Sequence, residues 1–414
     1  MIVNKPFHLS INFLFLFISF LIITKFFFSS ILGNIFSLAN ALFLVFSLIT
    51  LIFYIIKIKK FNFEISYLIC LSIFVPIFSS LVAYINFDQP IIYGILALRQ
   101  WFMIGFLVYL YESILSRKFE IELIEKVFLG LAFFSLIFNS FIFFTSNASE
   151  FTEGTSTFYS ETKGLRVRYP FTFITFGIIY YFIKINQSLN WKNFLIFLTF
   201  LLYSIFIIKS RMYFLILFFI LLLIVFNMSN KLAIVKKIVF SIVLLFFIYA
   251  GAIVLNPEFI SSFFQLYNEM FVVLSGDLSS DASSNARIFQ LFKVFNFFST
   301  NPSAIFYGSG TLSSQWKDGF EGFFGYLYPT DIGLLGGIFQ YGILGLIFMW
   351  LIPIKLIYKK INYLNERSIF ESSLKYFFLF TVLRGIYNGN SFFRIDEYLI
   401  SFIIILAISK FNLK

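Results

Sequence analysis

The sequence predicts an all-α, polytopic integral membrane protein, and three observations predict it. The 414-residue chain is 60% hydrophobic and 12% charged, with a mean hydropathy of +0.92. A soluble domain of that length has no interior large enough for so much apolar surface. Apolar runs of roughly 16–22 residues recur from end to end, the length a helix needs to cross a ~30 Å hydrocarbon layer. An open chain satisfies its backbone groups in lipid only as helix.

Twelve spans are expected, at 9–24, 35–56, 65–85, 91–111, 127–145, 169–185, 194–208, 213–228, 238–255, 332–352, 370–386 and 397–411. The first follows Lys5 and is too long for the apolar part of a signal peptide, so it reads as an uncleaved helix. The turn Lys209-Ser210-Arg211 separates the seventh span from the eighth, because merging them breaks the alternation of charge along the chain. With the N-terminus inside, 19 of the 31 basic residues fall on the cytoplasmic side, 10 outside, and Arg99 and Arg384 within spans. Lys57/Lys59/Lys60, Arg117/Lys118/Lys126, Lys231/Lys236/Lys237 and Lys355/Lys359/Lys360/Arg367/Lys375 are the cytoplasmic clusters. Both termini are then cytoplasmic. The net charge of +11 is this topological signal; its dispersal over separate loops argues against nucleic-acid binding.

The chain reads as a single membrane domain, 1–414, with one long outer loop, 256–331. Cys70 is the sole cysteine and His8 the sole histidine, so a disulfide, a thiol metal cluster and an outer-face histidine base are all excluded, and no cofactor is expected. A shorter outer loop, 146–168, is rich in Ser and Thr. In the long loop, 259–274 has the mixed pattern of a helix lying on the membrane surface. A flexible linker, 276–285, follows. A second helix is expected after Ser283-Ser284-Asn285, which are plausible N-caps, with Ile288, Phe289, Leu291, Phe292, Phe295 and Phe298 at helical spacing. It should end before Asn301-Pro302, and Gly308 and Gly310 should then allow a tight turn.

Candidate chemistry lies on the outer face. Arg287 is expected in the first turn of that second helix, where the macrodipole disfavours a cation and an anionic ligand would reverse the penalty. Arg211 sits at an outer tip, and Arg166 and Arg168 close the shorter loop. Each also has an ordinary reading, as a surface, turn or interfacial-anchor arginine. Together, four guanidiniums on one face suit a diphosphate, whose oxygens arginine holds bidentately. Arg99, near the middle of its span, should face the interior and have a partner, at an insertion cost of ~2.5–3.5 kcal/mol. Arg384 is similar but nearer the outer end. Asp331 opens the tenth span either as a helix cap or as a general base, with Asp318 and Glu321 as competitors for the second role.

These features, in this order, resemble the O-antigen/capsule polymerase (Wzy) and O-antigen ligase superfamily. The resemblance rests on the Ser210-Arg211 turn, the arginine helix Asn285-Ala286-Arg287-Ile288-Phe289, the string Asn301-Pro302…Gly308-Ser309-Gly310, and the span Gly333-Leu334-Leu335-Gly336-Gly337…Tyr341-Gly342-Ile343-Leu344-Gly345. It covers 204–213 and 285–346 in residues and the whole chain in topology. It implies a C-type-like, metal-independent glycosyltransferase in a bacterial inner membrane, with the long loop periplasmic. Its substrate would be an undecaprenyl-diphosphate-linked oligosaccharide, and Arg211 and Arg287 match the arginines that bind the diphosphate. Arg166, Arg168, Arg99 and Arg384 are further candidates for binding substrate. Ligases carry a histidine where Asp331 stands, which favours a polymerase. The Arg-x10-Gly spacing of some polymerases is met by Arg166 and Gly177, although Gly177 falls within a span. A chain-length regulator and a flippase are the implied partners besides membrane lipid. A ligase, a lipid-linked oligosaccharide flippase or transporter, and a structural membrane subunit are the competing functions.

Overall fold

The computed structural model describes residues 10–27, 33–57, 63–145, 157–160, 164–167, 170–188, 190–208, 210–227, 282–365, 368–388 and 396–412. The span expected at 238–255, the surface helix at 259–274, most of the linker at 276–285, and Arg168 lie outside them, as do the side chains of Arg166 and Arg211.

The chain is an α-helical membrane protein. In order it forms α1 (Ile11–Ile23), α2 (Gly33–Ile56), α3 (Phe63–Phe87), α4 (Ile91–Ala97), a 3-10 turn (Arg99–Met103), α5 (Ile104–Leu115) and α6 (Ile121–Thr145). A two-stranded antiparallel hairpin follows, β1 (Thr157–Ser160) with β2 (Gly164–Val167). Then come α7 (Thr172–Gln187), α8 (Trp191–Tyr203) running into a π-helical turn (Ser204–Ile208), and α9 (Arg211–Phe226). The long loop holds α10 (Ala282–Thr300), α11 (Ala304–Tyr307) and α12 (Phe320–Phe324). A 3-10 turn (Pro329–Ile332) leads into α13 (Gly333–Leu346), which runs through a π-turn into α14 (Ile352–Lys360); α15 (Ile369–Asn388) and α16 (Asp396–Asn412) complete the chain.

Among the described residues, five helices are long and apolar enough to cross a membrane: Phe36–Ile56, Phe63–Phe87, Ile121–Thr145, Trp191–Ile208 and Pro329–Tyr363. A sixth results if α4 and the helix from Arg99 to Leu115, bent by 54°, count as one span. Shorter apolar helices cover Ile11–Ile23, Met212–Phe226 and Tyr398–Asn412. The expected seventh and eighth spans are separate elements, the π-turn ending at Ile208 and α9 beginning at Arg211.

The helices share one aromatic and aliphatic core. Phe20, Phe106, Phe128, Phe173, Phe176, Phe370 and Phe377 are buried in it, with Phe128 edge-on to both Phe173 and Phe176. Edge-to-face geometry suits rings that cannot all stack in a crowded interior. By contrast, Leu38, Leu42, Ile49, Ile52 and Ile56 on α2 are exposed, as expected of a lipid-facing stripe.

The bundle has two distinct ends. One collects lysines: Lys360 pairs with Glu64 at 3.7 Å, Arg117 lies over the Phe411 ring, and Lys410 lies over Tyr111. The other collects the N-termini of α7, α9 and α13, the C-termini of α3 and α15, and the long loop. The loop is tied there by aromatic contacts of Phe87 with Phe297, Phe323 and Phe324.

The loop also enters the bundle. Gly308 and Gly310 both have φ +84 and flank a bend at Ser309, within a segment, 308–313, that is buried. It pairs with a backbone break in α13: Gly342 (φ 69, ψ 173) leaves the helix, and the carbonyls of Phe339 and Gln340 accept from the N–H groups of Ser309 (2.6 Å) and Gly310 (3.1 Å). Non-helical backbone survives inside a membrane bundle only when its polar groups find such partners. Here Asn86 donates to Ser309 O, Gln89 bridges Thr311 O and Ser313 N, and Thr311 Oγ1 meets both Ser79 and Gln340. No side chain fits at Gly310, where a Cβ would lie 2.3 Å from the Ala83 nitrogen.

Candidate functional site

α10 starts at Ala282, so Ser283-Ser284-Asn285 fold into its first turn and do not cap it. The first N–H groups of a helix are unpaired in any case, which makes small polar residues acceptable there. Arg287 is therefore the sixth residue of the helix and not a first-turn residue. The helix ends at Thr300, before Asn301-Pro302, as expected.

Arg287 turns toward the end of α15. Its Nη1 donates to the Tyr387 hydroxyl at 2.5 Å, and the guanidinium lies 5.4 Å from the centre of that ring. One turn further along α10, buried Gln290 accepts from the Tyr328 N–H at 2.8 Å, which fixes α10 against the 3-10 turn that carries Asp331. Asp331 is exposed at that turn, within the electrostatic reach of Arg287 and hydrogen-bonded to Thr330. It does not cap α13: Ile332 occupies the cap position and no side chain completes the cap. The reason is Gly333 (φ +58), which turns the chain between Asp331 and the helix. A Cβ at Gly333 would lie 2.4 Å from Ile386 O and 2.5 Å from Tyr387 O, so glycine alone lets α15 approach this closely.

Arg384 sits one turn before Tyr387 on α15 and is 8% exposed. Its guanidinium lies over the Phe171 ring, 4.3 Å from the centroid. Phe171 precedes α7 and meets Tyr213 edge-on at 4.9 Å. Tyr213 also shares a hydrogen bond with Thr175 at 3.0 Å and stands two residues after Arg211, the first residue of α9. Arg287 on Tyr387, within electrostatic reach of Asp331, and Arg384 on Phe171, which meets Tyr213 of α9, are thus carried one turn apart on α15. Arg166 is on β2, opposite Phe158, and β2 packs against the π-turn that leads to Arg211. Gly177 lies within α7, where it makes room for the Phe200 ring.

Arg99 departs from the sequence expectation. It is exposed, not interior, because the helix breaks at Leu98 and turns the side chain outward. Its Nη1 donates to Leu96 O at 3.1 Å, at the end of α4. The elements around it, α2 and α3, are not those that gather the other arginines. Asp318 (φ 58) and Glu321 are exposed around α12, and the Tyr328 hydroxyl reaches Glu321 at 3.5 Å. That carboxylate raises the Tyr328 phenol above its usual range.

Tyr387, Gln290 and Phe171 are site residues that sequence reasoning did not single out. A tyrosine in a chain holding 23 of them carries no local signal; only the fold brings Tyr387 to an arginine 100 residues away. Among the described residues no cluster of His, Cys, Asp and Glu suits a metal ion. Comparison with protein families, with curated proteins and with solved structures finds no match to this chain.

Proposed function

We propose that the chain is a glycosyltransferase that polymerises lipid-linked oligosaccharide repeat units on the outer face of a bacterial inner membrane. The observation that carries the reading is the convergence of Arg287, Arg384 and the arginine-led start of α9 on one end of the bundle, beside an exposed carboxylate, Asp331. That is the arrangement an anionic leaving group and a hydroxyl nucleophile require together.

In the proposed reaction the donor is the growing glycan on undecaprenyl diphosphate. A hydroxyl of the incoming repeat unit attacks its anomeric carbon. The new C–O bond forms as the bond to the diphosphate oxygen breaks. Asp331 takes the hydroxyl proton, and Arg287 and Arg211 neutralise the charge that develops on the leaving diphosphate, with Arg384 and Arg166 behind them. Acting before the bond breaks fully, such preplaced donors stabilise the transition state more than the ground state.

The test is conversion of a purified lipid-linked repeat unit into polymer by the purified protein. Arg287→Ala and Arg211→Ala should each lower the rate by one to two orders of magnitude, since a charged hydrogen bond is worth roughly 1.5–3 kcal/mol. Lysine at either position should restore little, because it lacks the planar fork. Wild-type polymer from both alanine variants at normal protein levels would remove the proposed role. Transfer to an acceptor other than a second repeat unit would make the protein a ligase instead.

A further inference from the structure

We infer that Arg99 binds the phosphate of a lipid on the lipid-facing surface of the bundle, at the break between α4 and α5. The inference rests on the membrane fold and not on the proposed reaction. Its starting point is a mismatch of chemistry and place. Arg99 is exposed in the middle of an apolar helical segment, and Ile91, Ile92 and Leu96 beside it are exposed as well. A guanidinium carries five N–H donors. Among the described residues its one hydrogen bond is to Leu96 O, which leaves most of the fork unmatched.

The bend resolves the mismatch. Seven residues of α4 rise ~10 Å along a helix axis. With α5 along the membrane normal, the 54° bend reduces the depth they cover to ~6 Å. Arg99 then lies just below the headgroup layer, where a long side chain snorkels outward to reach it. A straight helix would bury the same residue nearly twice as deep. The anion available at that level is a lipid phosphate, whose oxygens match the arginine fork. Membrane phospholipid and a polyprenyl phosphate carrier present the same group. If the carrier is the ligand, the break is its route of sideways approach to the bundle.

The experiment uses the whole protein in nanodiscs with a phosphatidylglycerol whose headgroup is photoreactive, and cross-links are mapped by mass spectrometry. We expect them within Ile91–Met103 in the wild type, and at least fivefold fewer in Arg99→Gln. Excess unlabelled phosphatidylglycerol and excess undecaprenyl phosphate should compete, whereas diacylglycerol, which has no phosphate, should not. Equal competition by the two phosphates assigns the site to bulk phospholipid; stronger competition by undecaprenyl phosphate assigns it to the carrier. Unchanged cross-linking in Arg99→Gln overturns the inference, as does a wild-type pattern that diacylglycerol displaces equally well. Conversion of a wild-type dimer to monomer by Arg99→Gln also overturns it, because the fork would then face a second copy of the chain. The competition series needs only wild-type protein, so it decides the matter even if the variant does not fold.

Discussion

The two ends of the bundle carry positive charge in different ways. At one end the cations are mostly lysines at the rim: Lys360 beside Glu64, Lys57 over Phe53, Lys118 on the Tyr109 hydroxyl. Each is a compact, hydrated charge on a flexible stem, with a local partner. The other end also has lysines with local partners, Lys293 on Tyr326 O and Lys317 over Trp316, but it adds arginines held against aromatic rings. Arg384 is buried over Phe171, and Arg287 is held by Tyr387 beside Asp331. The first pattern is what the expected cytoplasmic side asks for, where position matters and geometry does not. The second restrains planar donors in fixed directions, which is what the proposed recognition of a diphosphate asks of them.

The sharpest way to break that comparison is to ask whether the two ends face different compartments. With Cys70 replaced by Ser, single cysteines at Trp316 and Lys359 should behave oppositely toward an impermeant thiol reagent. Trp316→Cys should label in intact cells and Lys359→Cys only after lysis. The reverse result would put the arginines in the cytoplasm and end the proposal of an outer-face polymerase.

Next in size is the carboxylate. Asp331→Asn removes basicity while keeping volume, and polymerisation in vitro should fall by at least tenfold. Because Asp331 does not cap α13, Asp331→Ala should behave like Asp331→Asn and leave the melting temperature nearly unchanged. Near-normal rates in both variants would move the base to Asp318 or Glu321.

These two residues also show how much was legible beforehand. The helices were visible because lipid imposes a length and a composition on every crossing, and the five described helices long and apolar enough to cross, six with the bent pair, each fall on an expected span. The end of α10 was legible because Asn301-Pro302 forbids helix locally. The proximity of Arg287 to Asp331 was not, since nothing in 285–331 marks which faces meet. Nor was the role of Gly308 and Gly310: a glycine needed for close approach inside a bundle looks, in sequence, like one needed for a surface turn. Arg99 was misplaced for a related reason. Reading it as interior assumed a straight helix, and no proline or glycine marks the break at Leu98.

A smaller effect should follow from Gly333→Ala. A left-handed φ costs an alanine ~1–2 kcal/mol, and its Cβ would press on the Ile386 and Tyr387 carbonyls. We expect lower thermal stability together with lost activity, because α15 must retreat from the Asp331 turn. Gly130→Ala on α6, where the nearest atom is a Phe13 ring carbon at 3.3 Å, should cost little of either. Similar losses in both variants would mean that the close approach of α15 has no special role.

The smallest expected effects compare one partner from each end. Tyr387→Phe keeps the ring beneath the Arg287 guanidinium and removes only the hydroxyl that accepts its hydrogen bond. Losing one such bond is worth about 0.5–1.5 kcal/mol, or roughly two- to twelvefold in rate. The loss should appear in kcat more than in KM, since the bond's proposed task is to hold Arg287 where charge develops. Lys360→Ala removes the 3.7 Å pair with Glu64, whose side chains are about a quarter exposed. A surface pair of this kind contributes about 0–1 kcal/mol to stability, and its loss should leave polymerisation untouched. A drop in activity from Lys360→Ala as large as that from Tyr387→Phe would mean that charge at either end supports the fold, and that the arginines are not set apart by chemistry.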